Sequence, residues 1–229
     1  MLEAGGHHTP AANQGRRKQM IAKRMIPWLC LVLLLALAWP AAAAPQSATQ
    51  VLKANLDKFI AILKDPAYKN GAKQKEQDDK IWEIINQVFD FEGVARRALG
   101  RNWRRFSPQE RKEFSDLFAK LLAKTYIKKI KKGYRDEKVV FTAEEKLRKN
   151  KVLVRSKIVR RGGDILVDYN MWNRGQGWRV YDVKVEGVSL VKNYRAQFND
   201  ILLNHKPAYL IQRVREKLAE QEKQKQKNQ

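Results

Sequence analysis

Few side chains of the types that perform acid–base catalysis stand where they could cooperate. Beyond His7 and His8 the only histidine is His205, at a predicted helix boundary, where a lone histidine is usually a cap or a surface residue. Asp168 and Asp182 could face each other across neighbouring strands, as the acid–base pair of a cone-shaped α+β enzyme would. Pairing of each carboxylate with Arg or Lys on an exposed sheet face explains them more simply. The pattern favours a protein that is not an enzyme.

Metal-binding and nucleophile motifs are missing from the sequence. It contains no Cys/His spacing typical of a metal site, no G-x-S-x-G elbow and no phosphate-binding P-loop. The one cysteine, Cys30, lies in an apolar N-terminal run. We expect no cofactor. The chain also has no ATP-binding motif, so any energy it uses must come from elsewhere.

The charge of the chain indicates an anionic partner. It has 47 Lys+Arg against 24 Asp+Glu, a formal net charge of +23. Nucleic acid is one candidate, because Trp103, Tyr134, Trp172 and Trp178 lie among basic residues, as a stacking platform for bases requires. On the predicted strands, however, aromatic and basic side chains mostly occupy opposite faces. We therefore expect no nucleic-acid binding and assign the basic surface to an anionic membrane or an acidic partner.

The N-terminal segment predicts export to the periplasm. A basic stretch from Arg16 to Arg24 precedes an apolar run from Met25 to Trp39, and Pro40 and four alanines follow. This order is typical of a secretory signal peptide, and we place its cleavage after Ala43. The alternative is an uncleaved anchor, because residues 25–44 are about long enough to span a bilayer. Cleavage removes residues 1–43 and leaves a thiol-free protein with a formal net charge of +19.

The remainder of the chain predicts one α+β domain. Residues 44–220 form this domain, and the Gln/Lys-rich residues 221–229 are predicted to be a disordered polar tail. Residues 107–110 have the Ser, Pro and Glu spacing of a helix start. Apolar residues at helical spacing predict about six or seven helices. The clearest cover residues 47–63, 73–88, 94–99, 107–126, 189–202 and 207–218.

The segment between residues 139 and 186 predicts an antiparallel-rich, twisted sheet of about four strands. Apolar residues there alternate with a period of two, and glycine-containing turns separate the strands. The predicted strands are 139–141, 151–160, 164–172 and 178–186. Because one face is apolar and the other polar, helices are expected on the apolar face. The apolar face is predicted to hold Val152, Val154, Ile158, Ile165, Val167, Tyr169, Met171, Tyr181, Val183 and Val185.

Two blocks of residues resemble a known family. The first is Trp178-Arg179-Val180-Tyr181-Asp182-Val183, Val185-Glu186-Gly187-Val188-Ser189-Leu190 and Asn193-Tyr194-Arg195. The second is Phe91, Ala95, Ala98-Leu99-Gly100, Trp103, Ser107-Pro108-Gln109-Glu110-Arg111, Phe114, Phe118, Leu121-Leu122 and Thr125-Tyr126. Over residues 48–215 the chain is similar to the MlaC or toluene-tolerance family. Its members are periplasmic phospholipid-binding components of the ABC transport system that maintains outer-membrane lipid asymmetry.

The resemblance implies a sheet wrapped by helices around a deep lipid cavity, which holds the acyl chains and leaves the headgroup outside. It also implies that phospholipid is a cargo, handed over between an outer-membrane lipoprotein complex and an inner-membrane ABC transporter complex. We expect a monomer that makes peripheral contact with anionic membranes.

The residues expected to contact lipid lie on the apolar face and on the helices that face it. They are Phe118, Leu121, Leu122, Val152, Val154, Ile165, Val167, Tyr169, Tyr181 and Val183. Each of them would equally suit closed core packing. Two other classes of protein remain open: an enzyme on a similar cone-shaped scaffold, and a basic periplasmic adaptor with a solid core.

Overall fold

The computed structural model describes residues 46–68 and 71–227, with side chains up to residue 224. The helices are α1 (Ala48–Lys64), α2 (Gln74–Val88), α3 (Phe91–Leu99), α4 (Pro108–Gly133), α5 (Leu190–Asn204) and α6 (Pro207–Lys227), with 3₁₀ turns at Pro66–Tyr68 and Gly100–Arg105. The strands are β1 (Lys138–Arg148), β2 (Lys151–Val159), β3 (Ile165–Asn173), β4 (Trp178–Val185) and β5 (Val188–Ser189). The predicted signal peptide lies outside the described residues, and none of the described helices is long and apolar enough to cross a membrane.

Side-chain caps fix where two of the helices begin. The Ser47 hydroxyl accepts the backbone N–H of Gln50 at 3.2 Å, and the Gln50 side chain accepts the N–H of Ser47 at 2.9 Å. Ser107 and Glu110 make the same reciprocal pair at the start of α4, as predicted. Because each cap satisfies backbone N–H groups that have no partner inside the helix, both starts are set by residues three apart in sequence.

The sheet is antiparallel throughout, in the order β1-β2-β3-β4-β5. β1 extends over residues 138–148, well beyond the predicted 139–141, and pairs with β2 along its length. The second half of β1 carries charged side chains, and the strand lies at an exposed edge of the sheet. Because an exposed edge strand does not require alternating apolar residues, the sequence of this half did not predict a strand. The predicted four strands are confirmed in position, and β5 is an additional two-residue strand.

A register shift between β3 and β4 changes which residues share a face. Asn170 pairs with Asp182, but the next residue, Met171, pairs with Val180. Tyr181 is therefore the extra residue of a β-bulge. Val180 takes the position on the apolar face that strict alternation gives to Tyr181. The predicted face of Tyr181 is thus wrong, and its side chain lies on the opposite side of the sheet.

Two hydrophobic clusters stabilise the domain. The sheet cluster joins α1 and α2 to the sheet through Ala48, Leu52, Val88, Val152, Val154, Met171 and Val180. The helical cluster joins α3, α4, α5 and α6, and its largest buried side chains are Leu99, Phe106, Phe114, Phe118, Leu202 and Leu210. The sheet therefore has its own helical cover, α1 and α2, distinct from the four helices that pack mainly on one another.

The C-terminal helix is longer than predicted. α6 continues past residue 220, so the predicted disordered tail is instead helical up to residue 227. The Gln221 side chain donates to the Thr125 hydroxyl at 3.0 Å, and Lys124 forms an ion pair with Glu222. These contacts attach the end of α6 to α4 through polar groups, which a search for apolar periodicity does not detect.

Candidate functional site

The apolar face of the sheet brings most of the predicted lipid-contacting residues together. Its side chains lie in register across β2, β3 and β4, where pairing residues share a face. They are Val152, Val154, Ile158, Ile165, Val167, Tyr169, Met171, Val180 and Val183. All the strand residues expected to contact lipid belong to this set, except Tyr181.

The two ends of the apolar face differ in burial. Val154 and Met171 are fully buried at 0% exposure, and Val167 is 6% exposed. Farther along, Ile165 is half-buried, and Val185, which pairs with Val167, is 46% exposed. The face therefore has a closed end and an open end. An apolar surface that is covered at one end only is suited to receive an extended apolar ligand from the other.

The helical cover is firmly attached at the closed end. Thr49, in the first turn of α1, donates hydrogen bonds to Glu144 of β1 from its backbone N–H at 2.8 Å and its hydroxyl at 2.6 Å. After α2, Phe89 forms a bridge with Val180, and the N–H of Asp90 donates to the Val180 carbonyl at 2.9 Å. The start of α1 and the end of α2 are thus both bonded to the sheet.

Ion pairs attach the other end of the cover. Lys64, the last residue of α1, pairs with Asp136, just before β1 begins at the open end. Near the start of α2, Asp78 pairs with Lys131 of α4 at 2.9 Å. An exposed pair such as Lys64–Asp136 contributes little, about 0–1 kcal/mol. The open end of the cover is therefore held to the rest of the domain through side-chain ion pairs.

Two polar side chains interrupt the apolar face without placing charge on it. Ser156 is 2% exposed, and its hydroxyl donates to the Val167 carbonyl at 2.9 Å. Burial raises the pKa of the Tyr169 hydroxyl, so this side chain stays neutral at physiological pH. Because a neutral, hydrogen-bonded group costs little to cover, the face remains compatible with acyl chains.

The three predicted contact residues of α4 lie in the helical cluster. Phe118, Leu121 and Leu122 are 1–6% exposed. The ring centroid of Phe118 lies 4.9 Å from that of Tyr194 and 5.2 Å from that of Phe198, both in α5. The structure does not place these α4 residues in one cluster with the strand residues. Their contact with lipid stays a prediction.

An aromatic and cationic stack occupies the opposite face of the sheet. The Arg97 guanidinium lies 4.0 Å from the ring centroid of Trp172 and 3.9 Å from that of Tyr181. Arg174 covers the Trp172 ring at 3.6 Å. A Cβ atom at Gly93 would lie 2.5 Å from Trp172 Cζ2, so glycine is needed for this close approach. The stack attaches α3 to the sheet and gives Tyr181 a structural role.

The two aspartates considered as an acid–base pair have separate partners. Asp182 accepts hydrogen bonds from the Ser189 hydroxyl at 2.7 Å and from the N–H of Val191 at 3.1 Å. It therefore stabilises the N-terminus of α5, where an anion is favoured. Asp168 lies 3.4 Å from the Arg155 guanidinium. The expected pairing with a basic residue is confirmed for Asp168, whereas Asp182 accepts from Ser189 and the backbone of Val191 instead.

The other candidate chemical groups are also dispersed. His205 is exposed, and its ring stacks on Tyr209 with centroids 3.9 Å apart. Within residues 46–68 and 71–227 no group of three or more His, Cys, Asp or Glu side chains could hold a metal ion. Among the described residues, these candidate groups are therefore not brought together in one place.

A polar cavity of about 380 Å³ lies where the α2–α3 corner meets the β3–β4 turn. Its lining includes Asp90, Glu92, Arg174 and Arg179. Arg179 donates to the Asn86 carbonyl at 3.0 Å, so part of this charge already serves the fold. With side chains of both signs, the cavity has the wrong chemistry for acyl chains.

Two residues that fix helices to the sheet, Gly93 and Glu144, were not predicted from the sequence. Only Gly93 could have been recognised there. Gly93 lies just before the predicted helix 94–99 and inside α3, and a glycine within a helix often marks a close approach of another group, here Trp172. Glu144 is one of two adjacent glutamates, a pattern typical of solvated surface. Its bonds to Thr49 depend on the pairing of α1 with β1, which the sequence does not display.

The described residues define an α+β protein in which two helices cover the apolar face of an antiparallel sheet. The chain belongs to the MlaC family, because the family model described as MlaC protein matches residues 53–216. The resemblance seen in the sequence is thus confirmed.

A solved structure agrees with this assignment. The phospholipid-binding protein from Ralstonia solanacearum, in complex with a phospholipid, is 27% identical to the chain, with a TM-score of 0.68. The match covers 77% of this chain and 99% of that one. No curated protein matches the chain. Family and neighbour together point to a binding or transport protein rather than an enzyme.

Proposed function

We propose that the protein is a periplasmic phospholipid carrier, which holds acyl chains on the apolar face and leaves the headgroup at the open end. The observation that carries the proposal is the apolar face itself, closed at Val154 and Met171 and open beyond Ile165. Membership of the MlaC family and similarity to a phospholipid-bound protein support it. The carrier takes lipid between an outer-membrane lipoprotein complex and an inner-membrane ABC transporter complex, as in the lipid-asymmetry system.

The acyl chains would lie between the sheet and its cover. Entry requires the open end of the cover, which comprises the end of α1 at Lys64 and the start of α2 near Asp78, to move outward. The bonds of Thr49 to Glu144 and the bridge of Phe89 to Val180 would hold the closed end in place. The cover would thus open as a hinged pair of helices, which agrees with the decrease in burial towards Ile165.

The free energy of acyl-chain burial favours hand-over rather than release into water. Each buried methylene contributes about 0.8 kcal/mol, so a diacyl lipid with roughly 30 methylenes gains on the order of 20 kcal/mol against water. Spontaneous release would be very slow. Transfer into another apolar environment costs little, so contact with a membrane or a partner should control exchange.

Native mass spectrometry of the purified protein, followed by lipid extraction, tests this function. The expected result is a protein species heavier by one phospholipid, which organic solvent removes. If the folded protein carries no lipid and takes none up from phospholipid vesicles, it is instead a basic adaptor with a solid core. Incubation of delipidated protein with labelled vesicles distinguishes this outcome from loss of lipid during purification.

A further inference from the structure

The open end of the sheet exposes a group of large apolar side chains, which we call the sheet tip. It comprises Val159 (40% exposed), Leu166 (55%), Val185 (46%) and Val188 (65%). Strand pairing places these residues together, because Val185 pairs with both Val167 and Val188, and the β2–β3 hairpin carries Val159 and Leu166. Single exposed apolar residues are ordinary, but a cluster at one end of one sheet marks an interaction surface.

The sheet tip is apolar on both of its sides. Val185 and Val188 share the face of Val167, whereas Leu166 is one residue out of phase and pairs with Lys157 on the opposite face. The tip therefore resembles a wedge more than a groove. A projecting apolar surface of this kind suits a partner that it can insert into. Such a partner covers the apolar side chains on both sides and needs no preformed cleft.

Basic residues surround the sheet tip; we call Arg135, Lys138, Arg160 and Arg161 the basic rim. Lys138 pairs with Val159 in the sheet, and Arg160 and Arg161 follow Val159 directly in the β2–β3 turn. Among the described residues, Lys138, Arg160 and Arg161 form no ion pair within 4 Å.

The neighbouring acids leave the basic rim largely uncompensated. Asp164 pairs with Lys157 at 2.8 Å, and Glu186 accepts the N–H of Leu166. The backbone N–H of Arg135 is the main cause of a lowered pKa at Glu137, and Arg160 and Arg135 contribute by charge. The surface around the tip therefore keeps an excess of positive charge, on a chain whose formal net charge is +23.

We propose that the sheet tip and the basic rim dock the protein on an anionic membrane, with the open end of the apolar face against the bilayer. This inference rests on the proposed carrier function and identifies the surface that function would use. Apolar side chains that enter the interface and cations that meet anionic headgroups are the two contributions that hold peripheral proteins on membranes. Because Val185 pairs with Val167, the tip continues directly into the apolar face, and acyl chains pass between them without crossing water.

Vesicle flotation tests the docking surface with two double variants. Arg160→Gln with Arg161→Gln removes half of the basic rim, and Leu166→Ser with Val188→Ser removes half of the sheet tip. All four side chains are exposed, so the fold should not change. The vesicles contain phosphatidylglycerol with phosphatidylethanolamine, or phosphatidylcholine alone.

Matched controls lie far from the open end. Lys146→Gln with Arg148→Gln makes the same change of charge at the opposite end of β1. Leu203→Ser removes a leucine that is 79% exposed near the end of α5. The lipid that each purified variant carries is measured by native mass spectrometry in parallel.

The wild type and both controls should float with anionic vesicles and not with phosphatidylcholine. The basic-rim variant should bind about thirtyfold more weakly, since each basic residue near an anionic surface contributes roughly fivefold. The sheet-tip variant should lose at least about tenfold through its apolar contribution. Both variants should keep their co-purified lipid.

Three results would overturn the inference. One is equal flotation of wild type and docking variants, and another is an equal loss in the controls. The third is a wild type that floats only when the vesicles contain native membrane proteins, because the tip then serves a protein partner. The absence of lipid from the wild type would contradict the carrier function instead, whatever the flotation result.

Discussion

The hydroxyl of Thr49 donates a 2.6 Å hydrogen bond to a carboxylate oxygen of Glu144, ninety-five residues away in sequence. The backbone N–H of Thr49 donates to the same oxygen at 2.8 Å. Glu144 thereby supplies a helix N-terminus with an anion and an acceptor from a neighbouring strand. This contact fixes the start of α1 on the sheet, and so defines the closed end of the proposed site.

Replacement of this carboxylate should lower the stability of the fold. We expect Glu144→Gln to reduce the free energy of unfolding by about 1 kcal/mol at neutral pH, because the charge at the start of α1 is lost. Urea unfolding followed by circular dichroism measures the change. Glu83→Gln, at an exposed position of α2, is the control and should be neutral.

The loss of stability caused by Glu144→Gln should depend on pH. Burial acts to raise the pKa of Glu144, but hydrogen bonds from the Thr49 hydroxyl and backbone outweigh it, and the net pKa is lowered. The stabilisation is therefore complete above the ordinary glutamate pKa of about 4.3 and is lost as the pH falls through the lowered folded value. The difference in the free energy of unfolding between wild type and Glu144→Gln should therefore disappear in acid. A difference of constant size would show that the charge is not its cause.

Close packing at Gly93 predicts a second stability change. In Gly93→Ala the new Cβ would meet the buried Trp172 ring, so we expect a loss of about 1–3 kcal/mol in the free energy of unfolding. Gly133→Ala is the matched control, because a Cβ there meets nothing within 4 Å. It should be neutral or stabilising by up to about 1 kcal/mol. Equal behaviour of the two alanine variants in urea would argue against the tight contact of α3 with the sheet.

A charge on the apolar face should expel lipid. Val183→Arg and Val167→Arg would place an unpaired cation among the acyl chains, and we expect lipid affinity to fall about a hundredfold, equivalent to roughly 3 kcal/mol. Phospholipid per protein is measured by mass spectrometry after circular dichroism has verified the fold. Leu147→Arg, at an exposed strand position, should retain lipid. Unchanged lipid content in folded Val183→Arg and Val167→Arg would move the site away from this face.

The N-terminal segment predicts the site of export processing. Expressed with its own leader, the protein should appear in the periplasm with a chain that begins near Ala44, because small residues follow the apolar run. N-terminal sequencing of the periplasmic protein provides the measurement. A membrane-bound form that retains residues 25–43 would show that the segment is an anchor.

Features decided by neighbouring residues could be predicted from the sequence. The start of α4 was evident from Ser107, Pro108 and Glu110, because the capping contacts join residues three apart. The strands of the central hairpins followed from their alternation and their glycine turns. The apolar face was therefore correct on β2 and β3, whose pairing has no irregularity.

Features decided by long-range pairing could not be predicted in the same way. β4 alternates regularly along its own sequence, and the bulge at Tyr181 appears only when the strand is aligned with β3. For Phe118, periodicity identified an apolar helix face but not its partner, which is α5. Periodicity establishes that a side chain is buried, while the choice between two clusters depends on how the helices are arranged in space.

The edge strand β1 has a consequence for behaviour at high concentration. Its pairing with β2 shifts register between Phe141 and Ala143 and again between Lys146 and Arg148, and charged side chains line its exposed half. An incoming strand from another copy would meet an irregular ladder and would have to cover those charges. Self-association into extended sheets along this edge is thereby disfavoured, which should keep the protein soluble when it is concentrated.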